Sequence, residues 1–130
     1  NYDEIMAKNK ILIVDDDPQI TKALSEHLTR EGYVIEVATN GEDGLKKAKA
    51  FHPDLMLLDI IMPKMDGITM LKLAREDPKL SFVPAIILTN LQTEEGVARS
   101  IEAGSTTYLI KVDYSLEELS GVIRKILNVL

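Results

Sequence analysis

The chain has 130 residues, enough for one domain that buries about two-thirds of the surface its unfolded form exposes. Apolar residues make up 45% and charged residues 28%, a globular composition rather than a disordered one. A net charge of −6 is a poor basis for reading nucleic acid directly, and the lack of cysteine excludes disulfides, thiolate metal sites and cysteine nucleophiles.

No apolar run approaches the roughly 20 residues of a membrane helix, and no secretion signal stands at the front. A cytoplasmic protein with no membrane partner is expected. Residues 1–9 read as an N-terminal extension, with Met6-Ala7-Lys8 as the expected native start, and 10–130 as one domain.

Residues 11–14 are a short apolar run without alternation, which predicts a strand buried on both faces. Asp17-Pro18 then starts a helix, because the aspartate can cap it and proline is tolerated at the first helical position. Ile20, Ala23, Leu24 and Leu28 form its expected inward stripe, and Gly32 ends it. Residues 34–38 carry Glu36 in their middle, which suits a strand at a sheet edge. Asn40 caps a second helix through Ala50, with Leu45 and Ala48 inward. A buried strand over 55–58 follows, then a third helix opened by Asp66-Gly67, the glycine easing the turn. Buried strands over 85–88 and 108–110 flank a helix between Thr93 and Gly104. Ser115 and Glu118 make a capping box for the last helix, whose apolar face is Leu119, Val122, Ile123, Ile126, Leu127 and Leu130. Strand and helix alternate five times, which predicts an α/β doubly wound parallel sheet that binds ligands at the carboxyl ends of its strands.

Chemistry-bearing residues stand just past those strands. Asp15 and Asp16 follow the first, Asp59 the third, Thr89 the fourth and Lys111 the fifth. Two carboxylates about 4 Å apart repel by roughly 4 kcal/mol at an effective dielectric of 20, so the cluster needs a cation or must take up protons. Oxygen donors favour a hard ion, Mg2+ or Mn2+. Beside such an ion Asp59 can attack a phosphorus centre, with Lys111 and Thr89 supplying a point charge and a hydroxyl donor. Asp17 and Asp66 read as helix caps, His27 and His52 as surface or packing residues, and Met62 and Met65 as core and turn.

Residues 11–16, the stretch Asp59-Ile60-Ile61-Met62-Pro63-Lys64-Met65-Asp66-Gly67, Leu88-Thr89 and Ile110-Lys111 together resemble the receiver domains of two-component response regulators. The resemblance covers essentially 10–130. It implies the flavodoxin-like receiver fold, five strands in the order 2-1-3-4-5 with five helices. It also implies Asp59 as phosphoacceptor, with Asp15, Asp16, Asp59 and the Ile61 carbonyl as metal ligands. Thr89 would be the switch hydroxyl, Lys111 its phosphoryl partner, and Tyr108 the aromatic that swings inward. The donor would be a histidine kinase or histidine phosphotransfer protein. The responding face would be the fourth helix, fifth strand and fifth helix, meeting a downstream protein or a second copy. Such a domain promotes its own phosphorylation and slow dephosphorylation but is not a turnover enzyme.

Val112 stands where the family usually has a cis-bonded proline, and a trans bond with an altered loop is expected, bearing on the reach of Lys111. Asn90 replaces a usual alanine or glycine, and its amide would narrow the approach to the acceptor. Ile61 and Leu91 lie at positions that influence water access in similar domains; being apolar, they predict a long-lived phosphoryl state. Two other classes fit less well. An aspartyl-phosphate phosphatase usually pairs its aspartates two apart after one strand and carries a cap, and a flavin binder would not face its phosphate with three aspartates. A degenerate receiver that only docks is opposed by the intact Asp16, Asp59, Thr89 and Lys111.

Overall fold

The computed structural model describes residues 9–129, so of the expected extension only Asn9 is included, and Leu130 lies outside. In chain order the elements are β1 (Lys10–Val14), α1 (Pro18–Arg30), β2 (Val34–Ala38), α2 (Gly41–Phe51), β3 (Leu55–Leu58), α3 (Gly67–Glu76), β4 (Ala85–Thr89), α4 (Glu94–Glu102), β5 (Thr107–Ile110) and α5 (Leu116–Val129). A short 3-10 turn, Lys111–Asp113, joins β5 to α5. All strand pairings are parallel, in the order β2-β1-β3-β4-β5.

Because successive side chains of a strand point to opposite faces, the sheet divides the core in two. Leu12, Val14, Met56, Leu58 and Ile87 face one way, packing with Ala48 of α2, Leu71 and Ala74 of α3 and Ala103 at the end of α4. Ile11, Ile13, Leu55, Leu57, Ile86 and Leu88 face the other, against Leu24 and Leu28 of α1 and Leu119, Ile123 and Leu127 of α5. Fully burying one such side chain contributes roughly 1.5–3 kcal/mol, and truncating Leu12 to alanine would cost about 2–5 kcal/mol through the cavity left behind.

Helix starts follow the predicted caps. The side chains of Asp17, Asn40, Asp66 and Thr93 each accept a backbone N–H from the first turn of their helix. Ser115 and Glu118 exchange two bonds of 3.1 Å, the expected capping box.

Two expectations need correction. Thr21, not Ala23, completes the buried stripe of α1; Ala23 is exposed and Ile20 half-buried. The Thr21 hydroxyl donates to the Pro18 carbonyl at 3.2 Å, so its polarity is met within its own turn. Nor is β5 buried on both faces, since only Leu109 of its four residues is buried. Among the described residues it pairs on one side only, as β2 does at the opposite edge. No described helix is long and apolar enough to cross a membrane.

Candidate functional site

At the carboxyl ends of β1 and β3 the ladder runs one residue past each strand. Asp15 N–H donates to Ala38 O at 3.0 Å, and Asp59 N–H to Val14 O at 2.9 Å. These bonds hold both carboxylates at the lip of the sheet. Asp15 and Asp59 are buried, while Asp16 is exposed and opens the pocket to water. One oxygen from each of Asp15, Asp16 and Asp59 lies within 4.8 Å of the others.

Both oxygens of Asp59 are occupied. Oδ1 accepts the Ile60 N–H at 2.7 Å, and Oδ2 accepts from Lys111 Nζ at 2.8 Å. The same ammonium lies 2.5 Å from Asp15 Oδ2, whose Oδ1 accepts the Asp17 N–H at 3.0 Å. Burial pushes the Asp15 carboxyl above its ordinary value, opposed by the bonds from Lys111 and Asp17. Burial alone would lower the Lys111 ammonium, but hydrogen bonds and charge from Asp15 and Asp59 prevail and hold it above its usual value.

One ammonium against three carboxylates leaves negative charge in excess. The donor set is all oxygen and partly open to solvent, which fits a hard divalent cation that keeps some of its waters. Among the described residues no peptide bond is cis, so Lys111–Val112 is trans, and Val112 does not keep Lys111 from Asp59.

Thr89 ends β4 and is buried, its hydroxyl accepting the Leu91 N–H at 3.3 Å. Tyr108 on β5 donates its hydroxyl to the carbonyl of that same Leu91 at 2.6 Å. Burial, and then the negative Asp59, raise the Tyr108 phenol, so it stays a donor at neutral pH. Leu91 is thus held on both sides by the expected switch residues, its N–H by Thr89 and its carbonyl by Tyr108. Asn90 Oδ1 accepts the Val112 N–H at 3.3 Å, joining the loop after Thr89 to the turn that begins at Lys111. The side chain of Ile61 is exposed beside the acceptor loop.

Sequence reasoning missed part of this framework. Gly67 does not ease a turn through unusual backbone angles. It lets α3 begin against the acceptor, for a Cβ there would overlap the Asp59 carbonyl oxygen. Its N–H donates to Ile60 O at 2.9 Å, so Asp59 and Ile60 are held from below. His52, expected at the surface or in packing, closes α2 in the left-handed region at φ 54°. The N–H of Val112 was legible in principle, since any residue but proline restores a donor there.

Comparison with known proteins points one way. A family model described as the response regulator receiver domain matches residues 11–124. Over 119 residues the chain is 39% identical to the alkaline phosphatase synthesis transcriptional regulatory protein PhoP of Bacillus subtilis, covering 92% of this chain and 48% of that protein. It thus spans about half the length of that relative. Among solved structures, it is similar to a CheY-like response regulator receiver domain protein from Methanospirillum hungatei, with a TM-score of 0.86 and 31% identity over 92% of this chain and 94% of that one. It is also similar to a chain of the CheX–CheY–BeF3–Mg2+ complex from Borrelia burgdorferi, with a TM-score of 0.82 and 30% identity over 91% and 88% of the two chains.

Proposed function

This chain belongs to the response regulator receiver domain family, and from that premise we propose that it is a phosphorylation-dependent switch whose acceptor is Asp59. The observation that carries the proposal is the meeting of Asp15, Asp16, Asp59 and Lys111 at one end of the sheet, with Lys111 bonded to the acceptor. A histidine kinase or histidine phosphotransfer protein is the proposed donor. As the phosphorus–nitrogen bond breaks, its electron pair stays on the imidazole and a phosphorus–oxygen bond to Asp59 forms. Asp15, Asp16, Asp59 and the Ile61 carbonyl would hold Mg2+ or Mn2+, which when bound neutralises charge on the transferring group. A similar chain belongs to a complex that also contains BeF3 and Mg2+, which supports that reading.

The chain's own groups then respond to the new anion. Lys111 follows the phosphoryl oxygens, and Thr89 donates its hydroxyl proton to one of them. Turning that way loosens its 3.3 Å bond with the N–H of Leu91, the residue whose carbonyl Tyr108 holds. Each contact favours one arrangement of α4, β5 and α5 over another, so phosphorylation shifts an existing equilibrium. The readers of that face would be a downstream protein or a second copy. We propose no turnover activity beyond self-phosphorylation and slow dephosphorylation.

Incubation with acetyl phosphate, with and without Mg2+ and beside Asp59→Ala, read by intact mass, tests this. One phosphoryl adduct that needs both Mg2+ and Asp59 is expected; an adduct that persists in Asp59→Ala would overturn the assignment.

A further inference from the structure

Gly96 sits in the first turn of α4 and is buried there. Its N–H donates to the Thr93 side chain at 3.0 Å, which fixes the start of the helix over the loop that carries Leu91. A Cβ built on Gly96 would lie 3.2 Å from the Tyr108 hydroxyl, 3.0 Å from Leu91 Cδ2 and 3.0 Å from Thr93 Oγ1. All three contacts are tighter than side chains normally tolerate. The tyrosine has little room to yield, because its hydroxyl is bonded to Leu91 O at 2.6 Å. The backbone of Gly96 is not in the left-handed region, so the conformation does not demand glycine. The space does.

We infer that Gly96 is a positioning residue for Tyr108: the side chain missing from α4 forms the slot that receives the phenol hydroxyl and keeps it on the Leu91 carbonyl. This rests on the switch reading of Tyr108 and deepens it by naming what sets the ring's inward position. In an exposed helix, alanine in place of glycine is stabilising. Here it should push the hydroxyl off its acceptor instead.

The test is a cycle of Gly96→Ala, Tyr108→Phe and the double variant in the full chain, by urea unfolding and by NMR of 13C-labelled tyrosine. Phenylalanine removes the hydroxyl oxygen that the new methyl would meet at 3.2 Å and leaves the two 3.0 Å contacts, with Leu91 and Thr93, common to both backgrounds. Alanine at 96 should therefore lower the folding equilibrium constant by more than about threefold when Tyr108 is present, relative to its effect beside phenylalanine, a coupling within the range of contacting residues. The Tyr108 ring resonance should shift in Gly96→Ala. Equal effects in both backgrounds, or an unmoved resonance, would overturn the inference. Should Gly96→Ala fail to fold, rescue by Tyr108→Phe supports the slot, and failure of both variants overturns it. The cycle uses unphosphorylated protein, so its outcome is separate from that of the Asp59 labelling experiment.

Discussion

Replacing Lys111 by methionine asks whether that lysine balances the acid pocket. Its ammonium lies 2.5 Å from Asp15 Oδ2 and 2.8 Å from Asp59 Oδ2, and the two carboxylate side chains are only 4% and 10% exposed. Removing one partner of a buried ion pair costs about 3–5 kcal/mol, because the other charge stays behind uncompensated. Asp16 opens this pocket to water, which places the loss at the lower end, about 3 kcal/mol. Urea unfolding without metal should show that loss, and adding Asp15→Asn to Lys111→Met should recover most of it. Mg2+ should recover it too, since a ligand at a hundredfold excess over its Kd adds about 2.7 kcal/mol. The variant should bind Mg2+ more tightly than the parent, in which the ammonium occupies Asp15. An undiminished loss in the presence of Asp15→Asn and of Mg2+ would refute the charge argument and assign the effect to packing of the lysine stem.

Further outcomes follow from the same geometry. Asn90→Ala removes the acceptor of the Val112 N–H, and loss of about 1 kcal/mol should speed exchange of that amide about fivefold by hydrogen–deuterium measurement. Leu91→Gln should shorten the lifetime of the Asp59 phosphoryl state in a chase monitored by intact mass, because a polar side chain can orient a water where leucine cannot. Hydrogen bonds from the Ser115 backbone and side chain hold the Glu118 carboxyl below its usual range. A depressed folded value gives stability that is present above the ordinary carboxylate range and is lost as pH falls through the lowered value. Glu118→Gln should accordingly flatten the acid dependence of amide protection at the start of α5.

Most of the architecture was legible because each level of the sequence agreed with the next. Apolar runs too short for helices, caps at Asp17, Asn40, Asp66, Thr93 and Ser115, and strict alternation of the two patterns left one sheet arrangement to consider. The errors arose where tertiary context changed what a residue meant. Thr21 reads as polar, yet its hydroxyl is satisfied within α1 and its methyl can face the core. Tyr108 and Ile110 read as core from their apolar run, although the expected order 2-1-3-4-5 already put β5 at an edge, where they are only half-buried. For the site, convergence of Asp15, Asp16, Asp59 and Lys111 was foreseeable from their places after strands. The bond from Lys111 to Asp15 was not, because strand position fixes which end of the sheet a side chain occupies but not which neighbour it meets. Gly67 shows the same limit: the residue type was noted, but the carbonyl it approaches lies eight residues earlier and is visible only in three dimensions.

The central claim is that loading Asp59 moves a distant face, and amide NMR of 15N-labelled protein with Mg2+ and beryllofluoride tests it most directly. Resonances of Thr89 to Leu91, α4, Tyr108 and the first turns of α5 should shift together with those around Asp59, all saturating at one ligand concentration and all lost in Asp59→Ala. Shifts confined to the acid pocket, with α4, β5 and α5 unmoved, would contradict the account.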